Sequence, residues 1–419
     1  MKKIMIKGGK KLEGSIQISG AKNAALPILA ASILPNEGKT SLSNVPIVND
    51  IITLSRIMRK LGAEIVINGN SVLIDAENIN NYILPLEESK LMRASVLMAG
   101  PLLTKYGEAV ITEPGGCVIG KRPIDFHLNG FRQLGAKITE VNENHVKIQA
   151  EKLMGNRIKL PFPSVTATEN LMMAACYADG TTTIENCARE PEIVDLASYL
   201  SSMGAKISGA GAQTIKITGV EELTANEYKV IPDRIETGTY IVAAAITKGE
   251  VTLKNAEISL LEAVVSNLRE MGVTIEETDE GTRVTSTQQF KPIDIVTEVY
   301  PGFPTDMQAI ITPLLCLADG KSTIKETIFE KRFNHVPEFT KMGADIKVHG
   351  DKIIINGVKK LRGSTVNSLD LRSGSSLIMA GLAAEGTTII EGVQHILRGY
   401  EKPVEKLKNV GADISFLKE

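Results

Sequence analysis

The stretch LGAEIVI at residues 61–67 reads as the end of a helix turned by a glycine into a strand. The same phrase returns as LGAKITE (134–140), MGAKISG (203–209), MGVTIEE (271–277), MGADIKV (342–348) and VGADISF (410–416). Its glycines, Gly62, Gly135, Gly204, Gly272, Gly343 and Gly411, lie 73, 69, 68, 71 and 68 residues apart, so the chain is six copies of one unit. A second phrase, a helix end followed by glycine and a β-branched run, precedes each copy: NEGKTSL (36–42), KYGEAVI (105–111), ADGTTTI (178–184), TKGEVTL (247–253), ADGKSTI (318–324) and AEGTTII (384–390). Each pair of glycines is 23 to 28 residues apart. That distance fits a strand, a loop and one amphipathic helix. Both glycines suit the left-handed residue that commonly closes a helix.

Ahead of each second phrase runs an almost unbroken apolar helix: AALPILAASIL (24–34), ASVLMAGPLL (94–103), NLMMAACY (170–177), YIVAAAI (240–246), AIITPLLCLA (309–318) and LIMAGLAA (377–384). A helix apolar all round belongs inside a fold. The helices between, such as IVDLASYLSSMGA (193–205), carry polar residues at helical spacing and face solvent on one side. A solenoid is disfavoured, because the period exceeds 50 residues and each unit has helices of its own. The expectation is an α/β architecture of two lobes, three units to a lobe, with buried helices inside and sheets outside.

Length agrees: 419 residues at 43% apolar content exceed the roughly 250 at which one core stops growing. A net charge of −2, no Trp and 4% aromatics leave no basic, aromatic-studded nucleic-acid surface. Cys117, Cys176, Cys187 and Cys316 form no CxxC pair and have no His at ligand spacing, which argues against a zinc site and a disulfide framework. A reducing, cytoplasmic compartment is expected. The basic start MKKIMIKGGKKLEG lacks a signal-peptide core, and the apolar stretches are too short to span a bilayer. Without a P-loop, dinucleotide fingerprint or metal motif, no cofactor and no metal are expected.

The functional signal is positional. Just ahead of the six apolar helices stand SGAKN (Lys22, Asn23), KLMR (Arg93), SVTATE (Ser164, Val165, Thr166), PDRIET (Asp233, Arg234, Glu236), FPTD (Thr305, Asp306) and LDLRSGSS (Asp370, Arg372). Helix N-termini attract phosphates and carboxylates through unpaired N–H groups and a partial positive charge. Ser, Thr and Asp at these places are equally explained as N-caps. Capping does not explain Lys22, Arg93 or Arg372, because cations are disfavoured at that end.

The loop PGGCVIGKRPIDFH (114–127) interrupts the repeat with three glycines. Lys121 and Arg122 follow Cys117 closely, a setting that favours a thiolate; a small buried hydrophobe is the other reading of Cys117. The remaining three cysteines read as structural. His127 and His335 read as orienting hydrogen bonders rather than catalysts.

With these residues in hand, the chain resembles the UDP-N-acetylglucosamine enolpyruvyl transferase family, which is related to the shikimate-pathway enolpyruvyl transferases. The matching phrases run from end to end: GAKNAALPILAA, MRASVLMAGPL, PGGCVIGKRPIDFH, FPSVTATEN, AREPEIVDLA, PDRIETGTY, GFPTDMQA, KRFNHVPEF, DLRSGSSLIMAGL and RGYE. The resemblance implies a two-lobed inside-out α/β barrel that closes on its substrates, phosphoenolpyruvate and UDP-N-acetylglucosamine. One lobe would hold residues 22–231, the other residues 1–21 with 232–419. The implied activity is transfer of the enolpyruvyl group to the sugar 3-hydroxyl, opening peptidoglycan precursor synthesis, with cell shape and division depending on it.

By the same resemblance, Lys22, Arg122 and Arg398 hold phosphoenolpyruvate with Asn23 beside them. Arg372 stands near the reacting centre, preceded by Asp370. Arg93, the run Arg122, Pro123, Ile124, Asp125 and Phe126, Ser164 with Val165, Asp306 and Ile328 face the UDP-sugar. Asp306 is the base. Cys117 is linked to proton donation, to a covalent pyruvate adduct and to product release, and all three stay open. Two departures stand out: Thr166 replaces an expected glycine, and Lys331 stands beside Arg332 where a neutral residue is frequent.

Overall fold

The β-branched runs of the second phrase become inner strands of five four-stranded sheets and an edge strand of a sixth, three-stranded sheet in a computed structural model that describes residues 2–112, 115, 124–286 and 289–417. They are Lys39–Ser43, Glu108–Thr112, Thr181–Glu185, Glu250–Lys254, Lys321–Lys325 and Thr387–Glu391. Side chains alternate across each pleat, so Thr182 and Ile184 are buried while Thr181 is exposed. Each of these strands pairs antiparallel with a hairpin strand, which pairs antiparallel with the strand of the next first phrase. In the last sheet Lys3–Lys7 fills the hairpin position between Thr387–Glu391 and Asp413–Leu417.

Two compact units result, residues 20–112 with 124–231 and residues 2–19 with 232–417. The N-terminal segment joins the second unit through strand pairing. Besides Lys3–Lys7, Glu13–Gln17 lies parallel to Glu250–Lys254. The equivalent edge strand of the first unit, Glu227–Lys229, lies parallel to Lys39–Ser43. At both crossings the strand before an inner helix therefore pairs with a strand other than the one that follows that helix.

The apolar runs form the inner helices α1 (Lys22–Ala31), α2 (Ala99–Tyr106), α3 (Val165–Ala175), α4 (Arg234–Ile246), α5 (Thr305–Cys316) and α6 (Leu371–Ala383). Every residue of α4 is buried. In the second unit α4, α5 and α6 pack on one another, and in the first α3 packs on both α1 and α2. Two expectations need correction. The run at 94–103 is not one helix: Arg93–Met98 is a 3-10 turn and α2 restarts at Ala99. Pro101 thereby falls in a first turn, where a missing N–H is tolerated. Gly249 does not close its helix in a left-handed conformation; Lys248 does, with φ 52°. Gly249 is needed for another reason, since a Cβ there would lie 2.2 Å from the Leu12 carbonyl oxygen.

Candidate active site

In the first unit, Lys22 opens α1 after Ala21, which provides no side-chain cap. The Lys22 side chain is largely buried, and its Nζ lies 3.4 Å from Asp50 Oδ2. Asn23 and Arg93 are half-buried, Arg93 at the head of the 3-10 turn. Ile124 precedes the helix Asp125–Gln133, which exposes Asp125 and keeps Phe126 half-buried against the core. Cys117, Lys121, Arg122 and Pro123 lie outside the described residues. Ser164 caps α3, its Oγ accepting from Ala167 N at 3.4 Å, and Val165 begins the helix.

A buried polar triad stands behind this face. Asn170 Oδ1 accepts from Gly100 N at 2.8 Å, and its Nδ2 donates to Val96 O and His127 Nδ1, both at 2.9 Å. Those partners fix the amide orientation, so Nδ1 of His127 is an acceptor and the ring proton sits on Nε2. Nε2 then donates to Thr166 Oγ1 at 3.2 Å. Burial, with Arg93 nearby, pushes the His127 pKa down to about 3, so the imidazole is neutral. His127 is thus an orienting hydrogen bonder as expected. The hydroxyl of Thr166, which replaces an expected glycine, is its partner.

In the second unit, Asp306 occupies the first turn of α5 but caps nothing: the N-cap is Pro304, and no side-chain cap bond forms. Its Oδ1 accepts from Arg332 Nη2 at 2.6 Å, and its Oδ2 from Arg372 Nη2 at 2.8 Å and Nε at 3.1 Å. Burial alone would raise this carboxyl, but Arg372 and Arg332 together overcome it and hold Asp306 ionised, well below the usual carboxylate range. Arg332 is steadied through Nη1 on Thr305 Oγ1 at 3.1 Å, and Thr305 donates to Glu326 Oε2 at 2.8 Å. Glu326 Oε1 accepts from the Ile328 and Phe329 backbone, which places the half-buried Ile328 beside this cluster. Arg398 is half-buried, just beyond the short helix Val393–Ile396.

Capping sorts the polar helix starts. Ser164, Asp233 and Asp370 cap their helices, Asp370 in a full capping box and with Asn334 on its second oxygen at 2.8 Å. Lys22, Arg93, Asp306 and Arg372 are left for other work. Sequence reading named Asp306 and Arg372 but missed their pairing, and it gave no role to Arg332 or Tyr400. Each sat inside a quoted phrase, KRFNHVPEF and RGYE, without a spacing that pointed at Asp306. Cys176, Cys187 and Cys316 are buried free thiols with pKa values pushed up by burial, Cys176 to about 12, which suits their structural reading. Among the described residues no cluster of three or more His, Cys, Asp or Glu could hold a metal, and no helix is long and apolar enough to cross a membrane.

His335 departs from expectation. It is buried edge-on against Phe339 and Phe333, and neither ring nitrogen completes a hydrogen bond of good geometry, although the Arg332 backbone approaches the ring. Burial lowers its pKa to about 4, with Asp370 opposing that shift. A folded pKa below the unfolded value means stability is complete above pH 6.5 and is lost as pH falls through that value to about 4. We expect His335→Leu to flatten the fall in melting temperature between pH 7 and 5 without loss at pH 7, checked by thermal melts across that range. An unchanged slope would show that His335 does not titrate on unfolding.

A family model described as EPSP synthase (3-phosphoshikimate 1-carboxyvinyltransferase) matches residues 6–407. The UDP-N-acetylglucosamine 1-carboxyvinyltransferase of Psychrobacter sp. (strain PRwf-1) is 49% identical over 417 residues, 99% of this chain and 96% of that protein. Among solved structures, the enolpyruvyl transferase NikO from Streptomyces tendae has a TM-score of 0.90 at 24% identity, over 100% of this chain and 99% of its own. EPSP synthase from Acinetobacter baumannii has a TM-score of 0.78 at 21% identity over the full length of both chains. At such identities the two structures establish a shared fold, consistent with the inside-out α/β barrel that the resemblance implies.

Proposed function

The chain belongs to the EPSP synthase family of enolpyruvyl transferases, in its UDP-N-acetylglucosamine 1-carboxyvinyltransferase branch, and we propose that it moves the enolpyruvyl group of phosphoenolpyruvate onto the 3-hydroxyl of UDP-N-acetylglucosamine, releasing phosphate. This is the first committed step of peptidoglycan precursor synthesis, which we place in the cytoplasm, with cell shape and division downstream of it. No cofactor takes part. The observation that carries the reading is Asp306, a half-buried carboxylate kept ionised by two buried arginines at a helix start where it caps nothing.

In the reaction the 3-hydroxyl oxygen bonds to C2 of phosphoenolpyruvate, its proton passes to Asp306, and C3 takes up a proton. The tetrahedral intermediate then loses a proton from C3 and expels phosphate from C2, restoring the double bond. A carboxylate offers about four lone-pair sites. Arg372 fills both on Oδ2 and Arg332 fills one on Oδ1, which leaves the remaining lone pair of Oδ1 as the proton acceptor.

We assign Cys117 to proton donation to C3, to a covalent adduct or to product release, and Lys22, Arg122 and Arg398 as the groups that neutralise phosphate and carboxylate, with Asn23 beside them. Fixed donors of this kind each contribute ~3 kcal/mol to transition-state stabilisation. Arg93, Pro123, Ile124, Asp125, Phe126, Ser164, Val165 and Ile328 are assigned to the UDP-sugar. Asp370 seats the turn that carries Arg372.

Phosphate release from phosphoenolpyruvate, measured with UDP-N-acetylglucosamine, with shikimate 3-phosphate and with neither, tests the reading. We expect release with the first only. Release with shikimate 3-phosphate instead would move the chain to the other branch of its family, and no release at all would favour a non-catalytic scaffold. Cys117→Ser is expected to slow turnover and to abolish alkylation by thiol-directed phosphonate epoxides. Persistent alkylation, read by mass spectrometry, would identify another reactive cysteine.

A further inference from the structure

Arg372 is tied down on the side away from Asp306 by a chain of buried hydroxyls to which the reaction gives no role. Its Nη1 donates to the Tyr400 hydroxyl at 3.1 Å, and that hydroxyl lies 2.8 Å from Thr239 Oγ1. Thr239 spends its single hydrogen on the Ile235 carbonyl at 2.7 Å. The direction of the chain is thereby fixed. A guanidinium can only donate, Thr239 has no hydrogen left, and so Tyr400 accepts from Arg372 and donates to Thr239. Arg372, Tyr400 and Thr239 are 4%, 3% and 2% exposed, so water does not replace these bonds when one is lost.

We propose that Tyr400 and Thr239 are positioning residues for the enolpyruvyl transfer, locking the Arg372 fork so that Nε and Nη2 saturate Oδ2 of Asp306 and leave Oδ1 open to the sugar hydroxyl. The inference rests on the assignment of Asp306 as base. The other charges around the pair do not supply this lock. Arg332 holds the opposite oxygen, Asp233 at the start of α4 acts on Arg372 only through its field, and Asp370 is occupied by its cap and by Asn334. Among the described residues Tyr400 alone accepts from Nη1, so its loss strands a buried N–H of one of the two guanidiniums that set the carboxylate's orientation.

The test compares Tyr400→Phe, Thr239→Val and Thr239→Ser in the full chain, with turnover expressed per folded enzyme. Tyr400→Phe is expected to lower kcat about tenfold, the equivalent of one hydrogen bond to a charged group, with KM for UDP-N-acetylglucosamine within about twofold. Thr239→Val should show the same split at smaller size, and Thr239→Ser, which keeps the hydroxyl, should recover the rate. A Tyr400→Phe enzyme with unchanged kcat, or one whose loss is accounted for by unfolded protein alone, overturns the proposal. If Tyr400→Phe does not fold, the Val and Ser variants at Thr239 decide: equal rates for the two overturn it. Failure of the underlying assignment looks different, because Asp306→Asn would then turn over normally whatever Tyr400 does.

Discussion

Asp306→Asn is expected to lower kcat by about 10²- to 10⁴-fold, the range that a positioned general base supplies. The amide keeps the shape of the side chain and one acceptor oxygen but cannot take the hydroxyl proton. It also leaves Arg332 and Arg372, whose side chains are 6% and 5% exposed, without their shared counter-charge. Removing one partner of a fully buried ion pair costs about 3 to 5 kcal/mol; the half-buried Asp306 stands below that limit, and the variant should still melt earlier. Two measurements keep these effects apart: turnover per folded enzyme, and equilibrium binding of UDP-N-acetylglucosamine to the folded fraction. Binding retained with turnover gone fits a base. Turnover within tenfold of the unmodified chain would remove Asp306 from that role, and the depressed carboxyl would then be an ion pair that serves stability alone.

The pH dependence sharpens the same point. A carboxyl held below its usual range contributes stability that is present above the unfolded value near 4 and is lost as pH falls through the lower folded value. Asp306 therefore stays ionised across the neutral range, so a base role for it predicts that loss of rate just below neutrality comes from another group.

Repeats made the fold legible. Six glycine-marked helix ends at a nearly constant interval fix the unit because all six first-phrase glycines adopt positive φ, a backbone requirement that restricts the residue type. Strand exchange at the crossings was not legible. Nothing in residues 13–17 announces a partner at 250–254, because edge pairing depends on where the whole unit closes rather than on local pattern. The site was half legible for a similar reason. Composition at helix starts singled out Lys22, Arg93 and Arg372, yet it could not tell Asp306 from the caps Asp233 and Asp370, since all three read as an acid before an apolar run. The fold separates them physically, through Arg332 and Arg372, which lie 26 and 66 residues away in sequence. His335 misled for the opposite reason: a histidine in a polar phrase looks like a bonder, and burial between two phenylalanines leaves no sequence mark.

Asn170→Ala is expected to destabilise the first unit by about 2 kcal/mol or more, because one deletion strands two buried groups at once, each costing ~1 to 3 kcal/mol. The Gly100 N–H loses its acceptor and His127 Nδ1 loses its donor, while the Val96 carbonyl keeps the Ala99 N–H. Repacking does not rescue the Gly100 amide readily, for Gly100 sits so close that a Cβ on it would lie 2.4 Å from the Asn170 backbone oxygen. The effect should reach the half-buried Thr166 as well, since freeing Nδ1 lets the imidazole change tautomer and release the Thr166 hydroxyl. Asn170→Asp provides the sign check. A carboxylate facing Nδ1 favours the imidazolium, so the His127 pKa should rise from about 3 toward or past its ordinary 6.5. Denaturant melts of both variants, with an NMR titration of His127 in the Asp form, test the triad. A melting midpoint for Asn170→Ala equal to that of the unmodified chain, or a His127 resonance that still titrates near 3 in the Asp variant, would mean that Asn170 does not hold the ring.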